Sequence, residues 1–589
     1  MSGSTQYTPP NSASSWFHPS EEDHETTVVY RPKAIAVIFV PGVMGSNLRS
    51  KENPRQKVWL PPDGTIQGGQ QAWDWSGMDA SIRQQMLDPN DCEVDKEGQL
   101  SRHHGPVPIY PALSAYGSTQ TEIEVYQKAL KTLPCGLEVD EAIERGWGSV
   151  HWDSYGEILE HLQTTLNPWA HGNEQGEESL VQSLTALLRA GGALNEAAEP
   201  SGAAIDTVDP TEPRKLADYQ FPVYCAGYNW LKSNRDSAET IVSDWLPQFK
   251  QHCRTALRAR WEGAIIVTHS MGGLVGRALV SLIEQEEKIL GVVHGAMPAN
   301  GAAAFYARMR AGSRDGTLIG FLTAEILGRS ARETVPVLAN APGPLELLPT
   351  PDYERCLQRD RGHSQWLEAG SDELKMQASF VPYATTGSVV KTGEGPVITQ
   401  QPEGSVVNDI YLNASSWYRL IADPALIDPA GILKQNPIQA FSSNVKRAMD
   451  FHALLEQSDG GYHPNTYAFY GNDTNTPSYG TVHWQCSVFR GAPAPQRVIR
   501  TLEDNYLGRL RLLTDTGEQW FNLAPPKDAG DGTVPSHSGR APLGRSGVQA
   551  LFGIRDLDGK DHQTVFNNEF ARRCTEYGII RIAYTEVAS

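Results

Sequence analysis

The sequence predicts a doubly wound α/β fold on a mostly parallel sheet. Three observations carry that expectation: near-continuous apolar runs of strand length, helical spacing between them, and uneven distances from run to run. A strand buried on both faces has no solvated side, so it reads as an unbroken apolar stretch. Residues 34–40 (AIAVIFV) form such a run, closed by Pro41-Gly42. Others occupy 221–224, 264–267, 289–293 and 467–470, the last closed by Gly471-Asn472. Between the second and third, Ile241, Trp245, Phe249, Cys253 and Leu257 recur every four residues, which predicts a helix within 238–261. Residues 274–282 repeat that pattern after the third run. Strands alternating with helices build parallel crossovers.

The distances between runs set the organisation. About 180 residues separate the first run from the second, and about 170 the fourth from the fifth, far more than one crossover needs. Two large cap or lid insertions, 61–215 and 301–460, are therefore expected to interrupt a core made of 29–60, 216–300 and 461–589. Residues 1–28, rich in Ser, Thr, Pro and Glu, read as a flexible leader.

Composition narrows the function. The 589-residue chain has 50 Lys+Arg against 69 Asp+Glu, a net charge of −19. A phosphate backbone is gripped by basic clusters, so nucleic acid is not an expected partner. Docking on anionic lipid by charge is equally disfavoured, and any membrane contact should use apolar surface. No apolar run approaches the ~18 residues of a membrane-spanning helix. The start, MSGSTQYTPPNSASS, lacks the basic and apolar regions of a Sec signal peptide. The 7 cysteines form no CxxC pair, so free thiols in a chain made in the cytoplasm are expected.

The strongest local signal is residues 264–275, AIIVTHSMGGLV. A buried strand runs into a helix through small residues with a serine at the apex. In such a nucleophile elbow the serine adopts a strained backbone state that lifts its hydroxyl above the sheet. Gly272 and Gly273 allow the close approach of strand and helix, whereas Thr268 stands where the G-x-S-x-G pattern has its first glycine. Ser270 is the candidate nucleophile. The turn after the first run, Val40-Pro41-Gly42-Val43-Met44-Gly45-Ser46, should lie beside the elbow. The backbone N–H of Val43 or Met44, with that of Met271, is the candidate oxyanion hole, where each donor contributes about 3 kcal/mol.

An acid and a base should follow in the order Ser, Asp/Glu, His. Asp531, in Gly530-Asp531-Gly532-Thr533-Val534-Pro535, is the candidate acid, with Asp473 as its rival. His562, at a loop-to-helix junction near the end of the chain, is the candidate base. His537 is its rival, although it lies only six residues after Asp531. His269, beside the nucleophile, should point elsewhere as a structural residue.

Together, Pro41-Gly42-Val43-Met44-Gly45-Ser46, His269-Ser270-Met271-Gly272-Gly273 and Gly530-Asp531-Gly532-Thr533-Val534-Pro535 resemble α/β-hydrolase lipases of the lecithin:cholesterol acyltransferase and GPI inositol-deacylase type. Pro344-Leu345-Glu346-Leu347-Leu348-Pro349 and Gly227-Tyr228-Asn229-Trp230 are similar to that group as well. The departures are Thr268 and His294-Gly295-Ala296-Met297-Pro298, where many such lipases read G-T-P-H. The long caps and acidic balance look most like bacterial type VI secretion lipase effectors. The resemblance implies an α/β-hydrolase fold and a Ser270–Asp531–His562 triad. It also implies phospholipid as substrate, action in a rival's periplasm, a secretion carrier and a cognate immunity protein.

The implied reaction, acyl-ester hydrolysis through a serine, needs no metal or organic cofactor. A calcium site on Asp531 and Asp528 would fall short of the 6–8 oxygens calcium takes. Phe305, Tyr306, Met309, Ile319, Phe321, Leu322, Ile326 and Leu327 are candidate lid residues or, equally, packed cap core. Two other readings stay open: a soluble carboxylesterase or acyltransferase with a small substrate, and a non-catalytic binding protein on a hydrolase scaffold.

Overall fold

A computed structural model describes residues 6–8, 12–17, 24–28, 32–60, 75, 77–98, 100, 132–167, 215–216, 218–284, 286–313, 328–362, 365–370, 390–392, 395–397, 406–486 and 498–588. The central sheet is built from β1 (Lys33–Val40), β2 (Tyr219–Gln220), β3 (Val223–Cys225), β4 (Arg260–His269), β5 (Ile289–Gly295), β6 (Thr466–Gly471) and β7 (Val548–Ile554). Its order is β7-β6-β5-β4-β1-β2, with β3 also pairing β1, and every pairing is parallel. The five apolar runs all lie on this sheet. The second is split in two because Pro222 has no N–H to give the ladder; its carbonyl instead accepts from Val37 N at 3.0 Å.

Both faces are covered, which is why the strands read as unbroken apolar stretches. Ala34, Ala36, Ile38 and Val40 of β1 pack into one core with α2 (Gly272–Ser281) and α3 (Pro437–Gln457). Ile35, Val37 and Phe39 pack into a second core with α1 (Trp152–Leu166) and α4 (Glu569–Ala588). A seven-stranded parallel sheet between two helical layers, with the strand-to-helix corner of β4 near its middle, is the α/β-hydrolase fold. Helix α1 falls in the range expected to be the first cap, yet its Tyr155, Ile158, Leu159 and Leu162 are buried against the sheet.

The structure corrects several details. The helix expected within 238–261 is broken into Asn234–Thr240, a π turn Ile241–Trp245 and Leu246–Thr255. Pro247 lacks the N–H of a regular i→i−4 bond, which accounts for the widened turn. Trp261 belongs to β4. A five-stranded sheet of Leu367–Gly370, Val482–Cys486, Val498–Asp504, Arg509–Thr514 and Gly517–Leu523 is an element that the apolar runs do not announce. Within the expected leader, Gln6–Thr8, Ser12–Phe17 and His24–Val28 pair as three antiparallel strands.

Among the lid candidates, Phe305, Tyr306 and Met309 are buried core of the second insertion, and the Tyr306 hydroxyl donates to Tyr418 O at 2.7 Å. Ile319, Phe321, Leu322, Ile326 and Leu327 lie outside the described residues. Among the described residues, no helix is long and apolar enough to cross a membrane.

Candidate active site

The site is built at the carboxyl edge of the sheet, where β4 ends. Ser270 follows His269 with φ of 52°, a left-handed state that costs a non-glycine residue about 1–2 kcal/mol. Its N–H is tied to Gly295 O at 3.0 Å, and helix α2 begins two residues later. The corner is tight. A Cβ on Gly272 would stand 2.3 Å from Pro41 O, and one on Gly273 2.5 Å from Met297 Cγ. Both glycines are thus required where helix, strand and neighbouring loop meet. Thr268, the departure from the motif, has its own allowance: a Cβ on Gly276 of α2 would lie 2.9 Å from Thr268 Cγ2. The missing glycine of the strand has a counterpart on the helix.

His562 reaches this corner from the loop before α4. Its Nε2 is 2.7 Å from Ser270 Oγ and its Nδ1 is 2.8 Å from Asp531 Oδ2. A carboxylate is acceptor-only, so Nδ1 carries the proton and Nε2 accepts from the serine hydroxyl. Asp531 is fully buried, while the His562 side chain keeps 13% of its surface exposed. The other carboxylate oxygen of Asp531 accepts from Thr533 N at 3.0 Å and Val534 N at 2.8 Å. The Gly-Asp-Gly turn is itself seated on Ser478, whose Oγ accepts from Asp531 N and Gly532 N. A Cβ on Gly471 would meet Asp531 Cβ at 2.7 Å, so the end of β6 also needs a glycine beneath the acid.

The rivals occupy other places. Asp473 accepts from Asn475 N at 2.7 Å and, through Oδ2, from Leu557 N at 3.0 Å. It anchors the loop that carries His562 rather than the imidazole. His537 is buried edge-on against Tyr353, with ring centroids 4.4 Å apart. Asp528 accepts from Thr481 N and from Arg361 Nη1 at 2.6 Å, so its oxygens do not join those of Asp531. Among the described residues, no cluster of three or more His, Cys, Asp or Glu is disposed to hold a metal.

The loop after β1 lies against the elbow as expected. A Cβ on Gly42 would be 2.9 Å from Ser270 Cβ. The loop is held from several sides: the Tyr228 hydroxyl donates to Pro41 O, Ser46 Oγ accepts from Tyr228 N, and Trp59 Nε1 donates to Met44 O. Met44 has φ of 63°, which turns the backbone sharply there. The backbone N–H groups of Val43, Met44 and Met271 donate to no group among the described residues.

His269 points away from the nucleophile's hydroxyl. Its Nε2 lies 2.9 Å from His562 O and its Nδ1 2.8 Å from the Tyr155 hydroxyl. Tyr155 in turn accepts from Gly42 N at 3.1 Å. Burial first, and the nearby His562 second, hold His269 well below the ordinary imidazole pKa. Tyr155 was not legible as a site residue, since it sits 114 residues from His269 in a helix of ordinary pattern.

No family model and no curated protein matches this chain. Among solved structures, it is similar to a chain of the crystal structure of the Tle4–Tli4 complex, with a TM-score of 0.66 and 27% identity. The match covers 94% of this chain and 99% of that chain. The likeness supports the type VI lipase-like relation that the long caps and acidic balance suggest. It does not reach the lecithin:cholesterol acyltransferase group.

Proposed function

We propose that the protein is a serine lipase that hydrolyses acyl-ester bonds of membrane phospholipids, acting as an antibacterial type VI secretion effector. The observation that carries this reading is the unbroken chain from Ser270 Oγ through His562 to buried Asp531. His562 Nε2 takes the Ser270 proton as Oγ attacks the ester carbonyl. Asp531 holds the imidazole in the reactive tautomer and stabilises its charged form. The oxyanion is received by Met271 N–H with that of Val43 or Met44. His562 then protonates the leaving alcohol, and a water deprotonated by the same imidazole releases the fatty acid.

The structural likeness to the Tle4–Tli4 complex supports the effector role. By that analogy a cognate immunity protein binds this chain in the producing cell, a secretion carrier delivers it, and the target periplasm is where it acts. The net charge of −19 favours engagement of lipid through apolar surface rather than through headgroup charge.

The test is hydrolysis of phospholipid in mixed micelles, followed as free fatty acid released, together with toxicity on export to the periplasm. Wild type should be active and toxic. Ser270→Ala should lose both, with a fall of about 10⁴-fold or more. Activity of Ser270→Ala within two-fold of wild type sinks the mechanism. Cleavage of a soluble short-chain ester without phospholipid would instead support the esterase reading.

A further inference from the structure

Three hydrogen bonds link the two halves of the site by a route that the triad does not use. Gly42 N–H donates to the Tyr155 hydroxyl at 3.1 Å. The Tyr155 hydroxyl and His269 Nδ1 are 2.8 Å apart, and His269 Nε2 is 2.9 Å from the backbone oxygen of His562. A backbone carbonyl only accepts, so Nε2 carries the His269 proton and Nδ1 is left to accept from Tyr155. The directions then agree along the whole chain: Gly42 N–H to Tyr155, Tyr155 O–H to His269 Nδ1, His269 Nε2–H to His562 O.

We infer that Tyr155 and His269 are positioning residues that lock the backbone of His562 at a set distance from the Gly42–Met44 turn. The inference rests on the proposed serine mechanism and adds two residues to it. The base and the Gly42–Met44 turn come from segments more than 500 residues apart in sequence. The relay between them is short, Tyr155 and His269 are buried, and an N–H at one end with a carbonyl at the other fixes the direction of every bond. The rings are wedged as well. Tyr155 lies 5.1 Å from Phe39 and 5.6 Å from His269 between centroids, and His269 lies 5.7 Å from Phe566. A neutral His269 is needed, because a second ring proton would remove the acceptor at Nδ1. Burial favours that neutral state.

Such a relay acts on rate rather than on binding, since a small error in placing a general base lowers turnover steeply. Tyr155→Phe keeps the ring and its packing but deletes the hydroxyl. His269 then loses what selects its tautomer, and His562 O loses an assured donor. His269→Gln can still place an amide N–H near the position of Nε2, whereas His269→Ala cannot.

The test is covalent labelling of the full-length protein by a fluorophosphonate probe, resolved into the maximal labelling rate and the half-saturating probe concentration. In this reaction Oγ of Ser270 bonds to phosphorus, the P–F bond breaks, the serine proton passes to His562 and fluoride leaves. Tyr155→Phe and His269→Ala should lower the maximal rate ten-fold or more, with half-saturation within two-fold of wild type. His269→Gln should recover to within about three-fold of wild type. Tyr155→Phe labelling within two-fold of wild type overturns the inference, as does His269→Gln labelling no faster than a folded His269→Ala. If His269→Ala does not fold, Tyr155→Phe decides alone. Labelling of Ser270→Ala as fast as wild type would instead sink the serine mechanism itself. Loss in Ser270→Ala with no loss in Tyr155→Phe removes only the relay.

Discussion

Two adjacent corners of the sheet are near twins. Ser270 after β4 has φ of 52°, and Ala296 after β5 has φ of 50°. Each ties its N–H to the end of the next strand, Ser270 to Gly295 O at 3.0 Å and Ala296 to Phe469 O at 2.9 Å. A buried histidine precedes each, His269 directly before Ser270 and His294 two residues before Ala296. What surrounds them differs. After Ser270 the chain enters a helix at once, and His562 stands over the hydroxyl. Ala296 is buried in the apolar core, and the glycine before it is pressed against the Phe469 and Phe566 rings, each 2.6 Å from where a Cβ would be. The strained backbone follows from how parallel strands end against their neighbours. What differs is above them: an imidazole backed by a carboxylate stands over the first corner.

The comparison can be broken at the residue behind the imidazole. Asp531→Asn leaves corner 270 and its strain intact but offers His562 Nδ1 an amide that can donate, which favours the wrong tautomer. The turnover number should fall by about 10³–10⁴-fold with little change in Tm. A loss under ten-fold, measured with phospholipid or a soluble ester, would mean that the imidazole is held by something other than Asp531.

A second comparison separates the two histidines. His294 Nδ1 is 2.8 Å from Thr268 Oγ1, and burial, with Arg277 as a lesser cause, lowers its pKa to about 3. Between pH 3 and 6.5 the unfolded chain therefore binds a proton that the folded chain refuses. Stability contributed by this residue is present above about 6.5 and is lost as pH falls, with a slope of at most about 1.4 kcal/mol per pH unit. His294→Gln should flatten the acid side of the stability profile in urea titrations while keeping turnover at pH 7 within about three-fold of wild type. An unchanged slope would show that His294 is not kept neutral.

The smallest effect concerns the strain itself. Ser270→Gly and Ala296→Gly each relieve a positive φ, so each should gain up to about 1 kcal/mol of stability. Only Ser270→Gly should abolish activity. A destabilised Ser270→Gly, read from its urea midpoint, would mean that the corner is not strained.

Much of this architecture was legible because burial on both faces writes itself as apolar runs. The runs at 34–40, 264–267, 289–293 and 467–470 fall on sheet strands, and that at 221–224 does so from Val223 onward. The strand Val548–Ile554 was not read, because Gln549 and Gly553 interrupt its pattern at the sheet edge. Ser270, Asp531 and His562 were legible from local turn chemistry: small residues at a strand end, an Asp between glycines, a His at a helix entrance. Tyr155 and Ser478 were not, since their roles exist only after segments distant in sequence have folded together. Asp473 was legible as a carboxylate after β6 but not as the anchor of Leu557. Sequence position alone does not say which of two nearby carboxylates turns towards the ring.

The contact between Thr268 and Gly276 reaches beyond this chain. One methyl-sized volume is shared by two positions eight residues apart, and either may hold it, but not both. Glycine at position 268 would therefore leave room for alanine at 276. A motif that insists on the strand glycine passes over this chain, whereas one that weighs the summed size of positions 268 and 276 accepts it.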